Sequence, residues 1–133
     1  ETSSPGYAVL ARFHQAALRA DQGDVAGAIS LYNSIGANSS VSGSLRDGAV
    51  VLAAMHAMDV ASTDRADLAS SLEALVKDGG PWRHSANELL GLLALQSGDQ
   101  AKARDLFQRV SDDVDAPTGL RARAAEVLAV LDK

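Results

Sequence analysis

Apolar residues along this chain recur at intervals of three and four, and nowhere do they alternate convincingly with a period of two. The pattern predicts helices and no sheet. Its clearest stretch, Trp82 to Phe107, reads as two antiparallel helices joined by a tight turn at Gly98-Asp99. Pro81 is placed in the first turn of the leading helix, where its missing N–H costs nothing. Leu89, Leu90, Leu93 and Ala94 follow at helical spacing, and Leu92 and Leu95 widen the stripe. Beyond the turn, Ala101, Ala103, Leu106, Phe107 and Val110 form a second stripe. Gly91 opposite Ala103 lets the two backbones approach closely.

The same reading extends over the rest of the chain. Pro5-Gly6 opens a helix to about Asp21, which ends at Gln22-Gly23, and Asp24 caps a second helix over Val25 to Ile35. Gly36 to Gly43 is a loop by composition. A third helix is expected from Ser44 to Asp59 and a fourth, after the loop Val60 to Arg65, from Ala66 to Lys77. Ser111 to Asp115 is an acidic connection, and a last helix runs from near Pro117 to Leu131. Helices of these lengths on short loops pack as antiparallel neighbours, so the class is all-α.

Two of the hairpins repeat one another. Gly23 precedes Ala28 by five residues and Tyr32 follows four later; Gly98, Ala103 and Phe107 keep the same spacing. A small residue, Ala16 or Gly91, stands 12 positions before each alanine, and the copies are 75 residues apart. This pattern resembles the tetratricopeptide repeat, a helical hairpin of about 34 residues. Leu90-Gly91 matches its Leu-Gly pair, Ala103 and Phe107 its second-helix alanine and aromatic, and Pro117 falls near its closing proline. Asn87 and Ala94 replace the Trp and Tyr of the motif. The middle helix pair keeps only the hydrophobic pattern.

The resemblance implies a right-handed α-solenoid of about three hairpins, over 5–36, 44–77 and 81–111, with a capping helix over 117–131, all in one domain. The residues expected to pack the repeats are Ala16, Gly23, Ala28, Tyr32, Leu90, Gly91, Gly98, Ala103 and Phe107. Such arrays bind on the face lined by the first helix of each pair. The inner-face positions are then Phe13, Ala17 and Ala20 in the first copy, and Glu88, Leu92 and Leu95 in the other. These positions carry no Lys or Asn to clamp a terminal carboxylate, which favours an apolar groove for an extended segment or a partner helix.

A closer resemblance spans most of the chain. It rests on Gly6 to Arg12, Leu45-Arg46-Asp47, the run Pro81-Trp82-Arg83-His84-Ser85-Ala86-Asn87-Glu88-Leu89-Leu90-Gly91-Leu92, and Ala116 to Ala124. These segments are similar to the tetratricopeptide-like domain of ancillary subunits of the bacterial Sec translocon, known from alphaproteobacterial inner-membrane proteins. That implies a soluble periplasmic part following an N-terminal membrane anchor outside this sequence. Its expected partners are translocon subunits or periplasmic chaperones. If upstream helices normally cover the first hairpin, Tyr7, Leu10 and Phe13 leave an apolar patch that self-associates. A soluble adaptor of the cytoplasm or of envelope assembly is the rival reading.

Composition sharpens this picture. With 133 residues, 47% of them hydrophobic, the chain can bury a core, and with only 4% aromatic residues that core is one of closely packed small side chains. The net charge of -5 argues against nucleic acid or an anionic membrane surface as partner. The absence of cysteine excludes disulfides and thiol chemistry. His14, His56 and His84 are spread over three helices without metal-ligand spacing, and His56, between Met55 and Met58, is expected to be partly buried. Asp112, Asp113 and Asp115 lack the pattern of a calcium loop. The sequence therefore predicts no catalytic residues, cofactor or metal. A hydrolase built on a histidine beside a carboxylate would need those groups to converge in a cleft.

Overall fold

A computed structural model describes residues 5–133 of the chain. These residues form seven helices and no strand: α1 (Pro5–Asp21), α2 (Val25–Gly36), α3 (Gly43–Ala57), α4 (Arg65–Asp78), α5 (Arg83–Gln96), α6 (Gln100–Asp112) and α7 (Thr118–Leu131). The all-α class is as the periodicity requires, and helices adjacent in sequence pack on one another within two compact units, Glu1–Thr63 and Asp64–Lys133. The hairpin expected over 44–77 has its first helix in one unit and its second in the other.

In the first unit α2 packs on both α1 and α3. Its core gathers Val9, Ala16, Ala28, Tyr32, Ile35, Val41, Ala49 and Ala53. In the second unit α4 packs on α5, α5 on α6 and α6 on α7, and α7 also reaches α5. Ala94, Ala103, Phe107, Val110, Ala116, Leu120, Ala124 and Leu128 form a core there. Full burial of a side chain such as Ile35 or Phe107 contributes about 1.5–3 kcal/mol.

The repeated Gly-Asp dipeptide makes both hairpin turns by one mechanism. Gly23 and Gly98 take φ of 87° and 82°, a conformation in which a β-carbon would be strained. The following amide then reaches back: Asp24 N–H donates to the Arg19 carbonyl at 2.8 Å, and Asp99 N–H to the Ala94 carbonyl at 2.9 Å. The aspartate side chains face forward instead. Asp24 Oδ1 accepts from Gly27 N–H at 2.9 Å and Asp99 Oδ1 from Lys102 N–H at 3.1 Å, capping α2 and α6. One dipeptide ends one helix and starts the next.

Two boundaries differ from expectation for visible reasons. Pro81 precedes α5 and is not in its first turn. Arg83 N–H donates to the Gly80 carbonyl at 3.1 Å, so residues 80–83 form a turn with proline at its second position, where its fixed φ is suited. α3 stops at Ala57 and not at Asp59, because the Ala57 carbonyl accepts from Val60 N–H at 3.0 Å and from the Thr63 hydroxyl at 2.7 Å.

Candidate interaction surface

Ala16, Ala28 and Ala103 have no exposed surface, and Tyr32, Leu90, Gly91 and Phe107 are buried beside them. Gly23 and Gly98 sit in the turns already described. At Gly91 the fit is tight: a β-carbon there would stand 2.7 Å from Phe107 Cε2 and 2.8 Å from Cζ. The α5–α6 contact thus requires glycine.

The expected inner-face positions behave differently in the two copies. On α1, Phe13 is half-buried with its ring 6.1 Å from that of Tyr32, Ala20 is half-buried against the same core, and Ala17 is exposed. On α5, Leu92 and Leu95 are half-buried against the core shared with α6 and α7, beside Val127 and Leu131. Their first role is packing within the chain. Glu88, with only 19% of its side chain exposed, accepts from Arg123 Nε at 2.9 Å and from Arg123 Nη2 at 3.2 Å. These hydrogen bonds, and then the carboxylate charge, raise the Arg123 guanidinium above its ordinary range.

A groove in the second unit was not anticipated. Val76, Leu90 and Leu106 give it an apolar lining, Lys77, Lys102 and Arg109 bring positive charge, and Glu73, Asp105 and Asn87 complete it. Its volume is about 270 Å³, slightly under the usual range for drug-sized ligands and ample for a side chain. Arg109 and Asp105 pair at 2.8 Å. Asn87 Oδ1 is buried with no hydrogen-bond partner among the described residues. The one sequence signal for this hollow is Asn87 itself, a short amide at the slot the repeat motif fills with Trp.

The three histidines differ in burial. His84 is the most deeply buried of the three, at 5% exposure, because α5 is buried around most of its circumference and His84 stands two turns before Gly91 on the same side. Its Nδ1 is 3.6 Å from Asp113 Oδ2, while Nε2 is buried without a hydrogen-bond partner. His56 is half-buried and stacks on Tyr32 with ring centroids 5.9 Å apart; His14 is exposed. A histidine and a carboxylate do meet, then, but His84 is enclosed and does not line the groove between α4 and α6. Among the described residues no three His, Cys, Asp or Glu side chains are grouped to hold a metal ion. Nor is any described helix long and apolar enough to cross a membrane.

No protein-family profile, curated protein or solved structure matches this chain. Its own geometry carries the functional reading.

Proposed function

We propose that this chain is a non-catalytic scaffold that holds other proteins, built as a tetratricopeptide-like α-solenoid. The observation that carries the reading is the duplicated hairpin. Two helix pairs, 75 residues apart, share one turn, one small-residue spacing and one aromatic slot, from Gly23 to Tyr32 and from Gly98 to Phe107. Repetition of a packing unit extends a surface, and the first-helix positions that keep exposure, Ala17 among them, would line it. By the closer resemblance the chain is the periplasmic domain of a single-span inner-membrane protein that serves translocon subunits or periplasmic chaperones.

Photo-crosslinking tests this. A photoreactive amino acid at Ala17, Glu88 or Leu92 of the membrane-anchored protein, in intact cells, should capture Sec subunits or periplasmic chaperones. The same probe at exposed Ala26 or Gln108, on the second helices of the two hairpins, should not. Equal capture from both sets removes the binding face from the reading. Capture of cytoplasmic proteins alone transfers the scaffold to the rival, soluble adaptor.

A further inference from the structure

α1 has two apolar faces and buries only one. Val9, Phe13, Ala16 and Ala20 turn toward α2 and the first core. A second stripe, Tyr7, Leu10, Ala11, His14, Ala17 and Leu18, recurs at i, i+3, i+4, i+7, i+10 and i+11 and is exposed along its whole length. Tyr7 is 68%, Leu10 59% and Leu18 45% exposed, the largest run of apolar side chains that any described helix holds out. Phe13, expected in this patch, has turned inward onto Tyr32, and Leu18 takes its place.

We infer that this stripe is the interface of a homodimer in which α1 pairs antiparallel with α1 of a second copy across a two-fold axis at His14. Three observations commit the surface to a second copy. Its content is symmetric about His14: Leu10 and Leu18 lie four residues to either side, and Ala11 and Ala17 three. An antiparallel partner therefore sets leucine against leucine and alanine against alanine, the self-complementarity that an isologous contact requires. The alanines allow axes about 8–10 Å apart. The stripe is also free of charge from Tyr7 to Leu18, and Arg12 and Arg19 project from a different side of the helix; Asp21, next on the same face, stands at the end of the contact opposite Tyr7 of the second copy, where it stays in water.

The third observation is area. The three large side chains expose on the order of 300 Å² per chain, the size of patch that marks an interaction site. Two copies together, with the alanines and histidine added, remain below about 1,200 Å² of buried surface, which places the dimer in the weak, reversible class. The stripe includes Ala17, one of the proposed inner-face positions, which the second copy would cover in the dimer; apart from that position the inference is independent of whether the chain serves the translocon.

Sedimentation equilibrium on the whole chain tests it. The average mass should climb from monomer toward dimer between micromolar and millimolar concentration. Leu10→Glu and Leu18→Glu, both at exposed positions, should each abolish the climb with helical circular dichroism unchanged. Val114→Glu, at the 79% exposed valine of the second unit, should leave it intact. A parent chain that stays monomeric at millimolar concentration overturns the proposal, as does equal disruption by Val114→Glu.

Register is tested by cross-linking, since the chain has no cysteine of its own. With a short bis-maleimide, His14→Cys should cross-link to itself and Gln15→Cys should not. A mixture of Leu10→Cys and Leu18→Cys chains should cross-link more efficiently than either alone. Leu10→Cys cross-linking alone as well as in the mixture would show parallel pairing and sink the two-fold. Binding to anionic vesicles by a chain whose mass stays monomeric would assign the stripe to lipid and overturn the dimer.

Discussion

The hairpins α1–α2 and α5–α6 share a turn, a spacing and a set of caps, yet they hold their helices together differently. In α5–α6 the aromatic of the repeat, Phe107, lies directly over Gly91, and no β-carbon fits between them. In α1–α2 the equivalent ring, Tyr32, meets Phe13 on one helix and stacks on His56 of α3, and the matching small residue is Ala16. The first hairpin is tied sideways to its neighbour, while the second is locked within itself. Surroundings differ as well: α5 is covered by α4, α6 and α7, while α1 keeps a whole apolar face in solvent. One repeat pattern thus serves as an interior element in one unit and as an edge in the other.

Substitutions at the aromatic slot break the comparison most sharply. Phe107→Ala should destabilise the second unit by about 3–5 kcal/mol, followed by the fluorescence of Trp82, the chain's single tryptophan and a member of that unit. Gly91→Ala should cost about 1–3 kcal/mol through overpacking on the same ring. Combined, the two should cost clearly less than their sum, because the truncated ring makes room for the new methyl. Full additivity would mean that Gly91 and Phe107 do not interlock. Ala16→Gly, the mirror change in the first hairpin, should cost only about 1 kcal/mol, mostly helix propensity.

Caps come next in size. Asp24→Ala and Asp99→Ala should each lose about 1 kcal/mol, since each aspartate accepts one amide hydrogen bond at the start of its helix. Separate melts of tyrosine and tryptophan signals should assign the first loss to unit one and the second to unit two. Equal response of both signals to either change would contradict the division at Thr63 and Asp64.

The smallest effect belongs to Tyr32 and is confined to alkaline solution. Burial first, and the Asp21 charge second, raise its phenol above the ordinary value of about 10. Folding therefore favours the protonated phenol. Its contribution is intact below the ordinary tyrosine range and is lost as pH rises through the raised value. Tyr32→Phe should remove that part of the alkaline loss, measured as the difference in denaturation midpoint between pH 8 and pH 11. An identical alkaline loss in wild type and variant would place its origin elsewhere.

Much of this was readable from the chain. The periodicity locates all seven helices, and the Gly-Asp dipeptides announce both hairpin turns because glycine and aspartate do separate jobs there. What could not be read is which face of a helix finds a neighbour. Leu92 and Leu95 look like a binding stripe until α7 is placed beside them, and Phe13 looks exposed until Tyr32 covers it. His84 reads as a surface residue because nothing local reveals that Asp113, 29 positions later, returns to meet it. The groove beside Asn87 is likewise a property of three helices and of no single motif.

The peptide bond between Thr63 and Asp64 has a consequence for how such a chain can change length. The Thr63 hydroxyl donates backward to the Ala57 carbonyl, while the Asp64 carboxylate accepts forward from the amides of Ala66 and Asp67. The two adjacent side chains thus serve opposite units, and none of these hydrogen bonds crosses the bond between them. In the language of recombination it is a seam. A coding block joined there inserts, duplicates or deletes whole helices without stranding either of these side-chain hydrogen-bond sets, so the number of helices can grow or shrink at this point.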